Sequence, residues 1–386
     1  MLDLFSGIGG FHKGFEQAGY EFEWVGFSEI DKYASAVYKH RFPNAKELGD
    51  ISAIRPERDL PDHIDILCGG FPCQAFSQSG LRKGFKDTRG TLFFEIARLL
   101  RHYIDTGKPI NHFVLENVKG LLSHDNGRTF AVIYGVLTDL GYTVECQLLN
   151  TKWVLPQNRE RIYIVGHIGR GSRAKVFPIT EDDKIYYNSS SRSKSKTEFC
   201  GAITTGEGHR RESNYIKVKV TTSKDQHKKI LGYTRDAKGK VIKRSEQPHA
   251  NTLHASTGHG GNTDQFVKIK EATKKGYAEA KVGDSINLSV PNSKTRRGRV
   301  GKGEAQTLDT GMQQYTLDKT KIRRLTPIEC ERLQGFPDQW TSQGNLDGKV
   351  VDISDTQRYK QCGNAVSVPI VQLVARSIYD NLRMDS

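Results

Sequence analysis

The sequence has no apolar run that approaches the roughly 20 residues a helix needs to span a bilayer. A chain without membrane helices is therefore expected. Its opening stretch, MLDLFSGIGG, lacks the cationic start and long apolar segment of a secretory leader. The expectation is a cytoplasmic protein. Cysteine is sparse. The six, Cys68, Cys73, Cys146, Cys200, Cys330 and Cys362, form no CxxC pair and stand at no zinc-finger spacing with histidine. That argues against a disulfide scaffold and gives no reason to expect a metal. The cysteines read as reduced core filler, with one exception, Cys73.

Negative charge is what the middle of the chain has too little of. Residues 170–321 carry 31 Lys and Arg against 16 Asp and Glu, a balance of +15. The remainder carries 27 against 28, so the whole net charge of +14 lies in one segment. A solvated surface normally mixes the two signs. One-sided charge suits a polyanionic partner such as nucleic acid.

A chain of 386 residues has room for two domains. Residues 1–168 alternate short apolar runs with amphipathic stretches. Strands are expected at Leu2–Phe5, Phe22–Ser28, Ile64–Cys68, His112–Glu116, Thr143–Leu149 and Arg161–His167. Helical spacing lies between them, as in Thr91–Tyr103. This alternation predicts an α/β domain with a doubly wound, mainly parallel sheet. Near residue 170 the composition turns to Lys, Ser, Thr, Gly and Asn, and Tyr215–Thr222 alternates like a half-exposed strand. A smaller, mostly β and irregular domain is expected there. The α/β character returns at TPIECERLQGF, a capped helix start, and SVPIVQLVARSIYDNL, an amphipathic helix. The expected division is 1–185 plus 322–386 for a discontinuous α/β domain and 186–321 for the basic insert. Ala202–Gly206, Ala250–Gly258 and Ala305–Gly311 resemble one another, and ordinary strand-turn composition accounts for them equally well.

The candidate site residues cluster at strand ends. Asp3–Gly10 (DLFSGIGG) runs from a strand through a glycine turn into a helix, where a ligand can approach the backbone closely. It lacks the Lys-Ser/Thr of a phosphate loop and is not GxGxxG. Glu29 lies 19 residues beyond Gly10, about where such folds place a carboxylate on a ribose diol. Asp50 is a second acid at a strand edge. Two acids and a glycine turn suit an adenosine without phosphate, favouring S-adenosylmethionine over NAD. Next, Gly69-Gly70-Phe71-Pro72-Cys73-Gln74 sets a cysteine on a turn at the carboxyl edge of the sheet, where these folds bind ligands. Behind it, Ser77–Gly90 carries Gly80, Gly84 and Gly90 as hinges and Arg82, Lys83, Lys86 and Arg89 for phosphates. Glu116-Asn117-Val118 ends the fourth strand, and Gln157–Arg161 (QNRER) precedes the last. Each alone reads as a polar turn; all fall on one edge of one sheet.

In this order the motifs DLFSGIGG, SEIDKYA, GDI, GFPCQAFS, RGTLFFEI, ENVKGLL, QNRERIY, RRLTPIECERLQGFP and QCGNAVSVPI resemble those of the bacterial and phage DNA (cytosine-5) methyltransferases. The resemblance covers essentially the whole chain apart from the central segment. It implies a Rossmann-like fold that uses S-adenosylmethionine, and catalytic roles for Cys73, Glu116, Arg159 and Arg161. Cys73 would add to C6 of cytosine, and Glu116 would contact N3 and the exocyclic amine. Arg159, and less directly Arg161, would support O2 and the catalytic loop. Phe5, Gly7, Gly9, Glu29, Ile30, Asp50, Ile51, Pro72, Leu92, Asn364 and Val366 would surround the cofactor. Ser77, Ser79, Arg82 and Arg89 would contact DNA. The basic insert would be the target recognition domain, with Thr252, Leu253, Thr307, Leu308 and Gly258–Asn262 near the bases. The implied partner is double-stranded DNA, bound by a monomer. The resemblance also leaves room for a restriction endonuclease acting on the same site. A tRNA cytosine-5 methyltransferase on the same scaffold is the main alternative; the large basic insert and the PCQ form of the cysteine motif weigh against it. Intact Cys73 and Glu116 disfavour a non-enzymatic relative. The glycine spacing disfavours a nicotinamide oxidoreductase.

Overall fold

The computed structural model describes residues 1–72, 92–168, 176–180, 183, 230–235, 241–247, 263–289, 295, 297–311, 313–318 and 321–384. Cys73, Ser77, Ser79, Arg82, Arg89, Thr252, Leu253, the Ser77–Gly90 loop and the expected strand Tyr215–Thr222 lie outside the described residues. So do Ala202–Gly206 and Ala250–Gly258.

Eight strands open the chain: β1 (Leu2–Leu4), β2 (Gly26–Ser28), β3 (Lys46–Glu47), β4 (Ile66–Gly70), β5 (His112–Val118), β6 (Thr143–Asn150), β7 (Gln157–Asn158) and β8 (Glu160–His167). Seven of them form one sheet in the order β3-β2-β1-β4-β5-β8-β6. The first five are parallel, and β8 runs antiparallel to both β5 and β6. The helices of this part are α1 (Gly10–Gln17), α2 (Lys32–Arg41), α3 (Leu92–Asp105) and α4 (Arg128–Asp139). Strand alternation sends side chains to opposite faces, and both faces here are apolar. Leu67, Phe113 and Leu115 join Phe93, Ile96 and Leu100 of α3 and Ile133 and Leu137 of α4 in one core cluster. Ile66, Cys68 and Val114 point the other way, into a second cluster with Phe11 and Phe15 of α1. This is why β4 and β5 read as nearly continuous apolar runs. The strand expected from Phe22 pairs only from Gly26, opposite Leu2. Phe22 instead stacks on Tyr20 and packs edge-on to Phe15.

The chain closes with α5 (Pro327–Gln334), α6 (Asp355–Asn364) and α7 (Val368–Met384). Helix α7 lies against α1, and a Cβ at Gly14 would fall 2.5 Å from Val371 Cγ1. The expected start of α5 is a full capping box. Thr326 Oγ1 accepts from the Glu329 N–H at 3.3 Å, and the Glu329 carboxylate accepts from the Thr326 N–H at 2.7 Å, with Pro327 in the first turn. The same carboxylate takes two hydrogen bonds from the buried Arg323, each 2.8 Å. Thr326→Ala is expected to cost about 1 kcal/mol. A lower denaturant midpoint at unchanged slope would register that loss; an unchanged midpoint would show the cap to be dispensable.

The described parts of the basic segment are strands joined by turns and irregular stretches. They are β9 (Ile230–Arg235), β10 (Val241–Gln247), β11 (Thr263–Lys270), β12 (Tyr277–Lys281), β13 (Ser285–Asn287), β14 (Val300–Gly301), β15 (Ala305–Gln306), β16 (Gln314–Asp318) and β17 (Lys321–Arg324). They make two antiparallel sheets, β10-β9-β11-β12 and β14-β13-β16-β17. The β16–β17 hairpin spans the division expected at 321/322. Strand β15 leaves its neighbours to pair in parallel with β7. Ala305 and Leu308 are buried there with Leu325, Cys330 and Leu333. A small hairpin, β18 (Gln343–Leu346) with β19 (Lys349–Asp352), packs beside α2.

Candidate active site

The glycine turn after β1 is shaped by conformations few residues adopt. Phe5, Gly7 and Gly9 have φ of 52°, 54° and 84°, and only glycine takes the left-handed region without strain. A Cβ on Gly9 would lie 2.5 Å from the Phe42 ring, and one on Gly10 would lie 2.6 Å from Val366 Cγ2. The turn is therefore pressed against the GNAV segment near the chain's other end. Space around Gly7 is open.

Glu29 braces this turn at the tip of β2. Its Oε2 accepts from the Gly7 N–H at 2.9 Å and its Oε1 from the Asp31 N–H at 2.7 Å. Burial raises its pKa above the ordinary carboxylate range, against the pull of those hydrogen bonds. Each carboxylate oxygen has a second lone pair left over. Ile30 is 78 % exposed, an uncovered apolar side chain at the same strand end. Asp50 is exposed, with Oδ1 accepting from the Ser52 N–H at 2.9 Å. Ile51 is buried, and its carbonyl takes Arg98 Nη2 at 3.1 Å. Pro72 and Asn364 are exposed, Leu92 is half-buried and Val366 is buried. An open glycine turn, acceptor oxygens at β2 and a bare apolar side chain fit a nucleoside carrying a diol. No cationic group for a pyrophosphate stands in the turn itself.

The second half of the site forms where β4 and β5 end side by side, with Gly70 opposite Glu116. A Cβ on Gly70 would come within 3.3 Å of Glu116 Oε2, so glycine keeps the carboxylate's surroundings open. Asn117, 2 % exposed, donates from Nδ2 to the Phe71 carbonyl at 2.8 Å, and its Oδ1 accepts from the Val118 N–H at 2.8 Å. The ENV turn is thereby tied to the backbone two residues before Cys73. Sequence reasoning passed over both Asn117 and Gly70, although each stands inside a quoted motif.

Glu116 is buried, and Arg161 Nε lies 3.0 Å from its Oε1 as an ion pair without an aligned hydrogen bond. Burial raises the Glu116 pKa, and it outweighs the opposing pull of Arg159 and Arg161. Arg159 is turned elsewhere. Its Nη1 and Nη2 donate to the carbonyls of Gly363 and Ala365 at 3.3 and 2.8 Å. Burial and the neighbouring Arg161 bring its pKa down to about 10. The structure thus gives Arg161, expected to act less directly, the contact with Glu116. Arg159 holds the turn that carries Asn364 and Val366.

Beside Arg161 opens a cleft of 450 Å³, lined by Val118, Lys119, Asn158, Arg161, Asn287 and Thr307, among others. Thr307 donates from Oγ1 to the Asn158 carbonyl at 2.8 Å, fastening the β15 segment to the QNRER turn. Leu308 is buried behind it. Among the described residues no cluster of His, Cys, Asp and Glu could hold a metal. No helix among them is long and apolar enough to cross a membrane.

A family model described as C-5 cytosine-specific DNA methylase matches residues 1–380. The chain belongs to that family. Among curated relatives, it is 35 % identical to the type II methyltransferase M.SsoII of Shigella sonnei, over 99 % of this chain and 80 % of that protein. It is also 35 % identical to the type II methyltransferase M.HaeII of Haemophilus aegyptius, over 99 % of this chain and 93 % of the relative. Among solved structures, the Dnmt2 methyltransferase of S. pombe superposes with a TM-score of 0.57 at 17 % identity, covering 99 % of this chain and 98 % of that one. A putative DNA modification methyltransferase from an E. coli prophage superposes with a TM-score of 0.54 at 18 % identity, covering 99 % of each chain. At those identities the two structures bear on the fold alone, which is the α/β architecture expected. As a C-5 cytosine-specific DNA methylase, the chain is an enzyme of a family that draws its methyl group from S-adenosylmethionine.

Proposed function

We propose that this methylase modifies one cytosine within a short site of duplex DNA, bound between the α/β part and the basic insert. The cytosine leaves the stack to reach a buried site. Cys73, as thiolate, forms a bond to C6, while Glu116 gives a proton or hydrogen bond to N3 and accepts from the exocyclic amine. Electron density then gathers at C5. S-adenosylmethionine, when bound, supplies an electrophilic methyl group at this point. Loss of the C5 proton to a base expels the Cys73 thiolate and restores the ring. Arg161 orients Glu116, and Arg159 fixes the Gly363–Ala365 turn. Phe5, Gly7, Gly9, Glu29, Ile30, Asp50, Ile51, Pro72, Leu92, Asn364 and Val366 form the cofactor site. Ser77, Ser79, Arg82 and Arg89 serve phosphates and the target strand, and Thr252 and Thr307 serve recognition. The enzyme works as a monomer in the cytoplasm of a bacterium or phage-infected cell, with a restriction endonuclease of the same site as its counterpart.

One observation carries the reading. Glu116 is a buried carboxyl with a raised pKa, ion-paired to Arg161 and linked through Asn117 to the turn that leads into Cys73. A carboxyl whose protonated form is favoured by burial is what N3 of cytosine requires. The deciding measurement is methylation sequencing of plasmid DNA after incubation with the protein and S-adenosylmethionine, read so that 5-methylcytosine is told from N4-methylcytosine and N6-methyladenine. We expect 5-methylcytosine in one short motif. No modified DNA, with methyl transfer to tRNA instead, would overturn the substrate assignment.

A further inference from the structure

Gln306 sits at the end of β15, paired with Asn158 of β7. Arg161, the partner of Glu116, follows three residues later, and Gln306 lines the same cleft as Asn158 and Arg161. The basic segment thus places an amide at the approach to Glu116.

The orientation of that amide is fixed by a neighbour, Asn287. Asn287 is 4 % exposed, and its Oδ1 accepts from the Ser289 backbone N–H at 2.9 Å and from the Ser289 hydroxyl at 2.6 Å. A backbone N–H can only donate, so the oxygen and nitrogen of Asn287 are not interchangeable. Its Nδ2 therefore faces Gln306 and donates to Oε1 at 2.8 Å. That contact fixes Gln306 in turn. Its carbonyl is held by Asn287, its NH₂ has no hydrogen-bond partner among the described residues, and the residue lines the cleft. A free glutamine matches adenine with one donor and one acceptor. Here one lone pair of the acceptor is taken by Asn287, while both N–H groups are left free to donate. Neighbouring Thr307 offers no competing donor, because its hydroxyl is directed to the Asn158 carbonyl.

We propose that Gln306 is a specificity-determining residue, whose oriented NH₂ donates to a keto oxygen, guanine O6 or thymine O4, on a base beside the target cytosine. The inference rests on the DNA reading above. Donors are matched by keto oxygens and opposed by the amino groups of adenine and cytosine, so the contact separates the two base classes. Asn287 is its positioning residue.

The test uses the full chain. The site is first read by methylation sequencing. Initial rates are then measured on duplexes carrying that site and each single-base replacement of it. Gln306→Ala is expected to lower discrimination roughly tenfold at one position occupied by guanine or thymine, with S-adenosylmethionine binding retained as evidence of folding. Gln306→Glu, which presents acceptor oxygens in place of donors, should move the preference at that position towards adenine or cytosine. Asn287→Asp keeps the acceptor for Ser289 but loses the donor to Oε1, and should relax the same position. If the base is guanine, inosine, which keeps O6, should be accepted as well; if it is thymine, uracil should be. A loss spread evenly over all duplexes would indicate a phosphate contact and overturn the proposal. So would unchanged discrimination in variants that still bind S-adenosylmethionine. Failure of the underlying reading looks different, since the wild-type protein itself would then leave no 5-methylcytosine in DNA.

Discussion

Replacing Cys73 with serine is expected to lower turnover by roughly three orders of magnitude or more, while DNA and S-adenosylmethionine still bind. A thiolate is both more nucleophilic and far more accessible near neutral pH than an alkoxide, and no side chain in the described site stands ready to deprotonate a serine. Glu116 is assigned to N3 of the base, and burial, which outweighs the opposing pull of Arg161, favours its protonated form. Binding should survive because the contacts assigned to DNA and cofactor come from other residues. The check is single-turnover methyl transfer alongside DNA titration. A second readout separates nucleophile from bystander: the wild-type enzyme should form a denaturant-stable complex with DNA carrying 5-fluorocytosine at the target, because fluorine at C5 blocks the elimination that frees the thiolate. The serine variant should form none. Substantial residual methylation, or an unaltered trapped complex, would remove Cys73 from its role.

Glu116→Gln should reduce the rate of methyl transfer by roughly 10²- to 10⁴-fold, with little change in S-adenosylmethionine affinity. The amide keeps the shape and still contacts the base, but it cannot deliver a proton to N3. The pH profile gives a sharper readout. In the folded protein burial raises the Glu116 pKa, so the protonated carboxyl persists above the ordinary carboxylate range. It is lost as pH rises through the raised value. The activity that depends on that proton should therefore be full on the acid side of that value and fall on its alkaline side. The glutamine variant should lack this limb while keeping any other. Arg161→Met, which removes the nearest opposing charge, should raise the Glu116 pKa further and move the same limb towards higher pH. Unchanged turnover in Glu116→Gln, or an alkaline limb that persists in it, would show that another group supplies the proton.

The fold was legible at the level of elements. Short apolar runs and 3.6-residue spacing marked β5, β6, β8 and α3, and the capping box of α5 was readable because its two partners are three residues apart. Strand β2 was anticipated too long, since Phe22 has the composition of a strand residue yet is claimed by an aromatic cluster with Phe15 and Tyr20. The contact of Arg161 with Glu116 and that of Arg159 with the Gly363–Ala365 turn were not legible in the sequence. In QNRER the two stand two residues apart, and strand alternation does not tell them apart. Which of them faces Glu116 depends on β8 running antiparallel beside β5, with Val118 opposite Arg161.

The residues proposed for the chemistry were legible in the chain alone: a cysteine after Pro72, an acid in ENV, a glycine turn followed by Glu29, and one basic segment between two α/β stretches. Those are statements about residue types at local spacing, and the chain carries them without folding. Only the tertiary structure decided who meets whom. It brought Gly10 against Val366 from opposite ends of the chain, set Arg159 to hold the Gly363–Ala365 turn, and raised the pKa of Glu116 by burying it. It also laid β15 along β7, so that Gln306, bonded by Asn287, lines the cleft beside Arg161. The physical reason is that burial and hydrogen-bond direction are properties of neighbours distant in sequence, and no local pattern encodes a donor's direction.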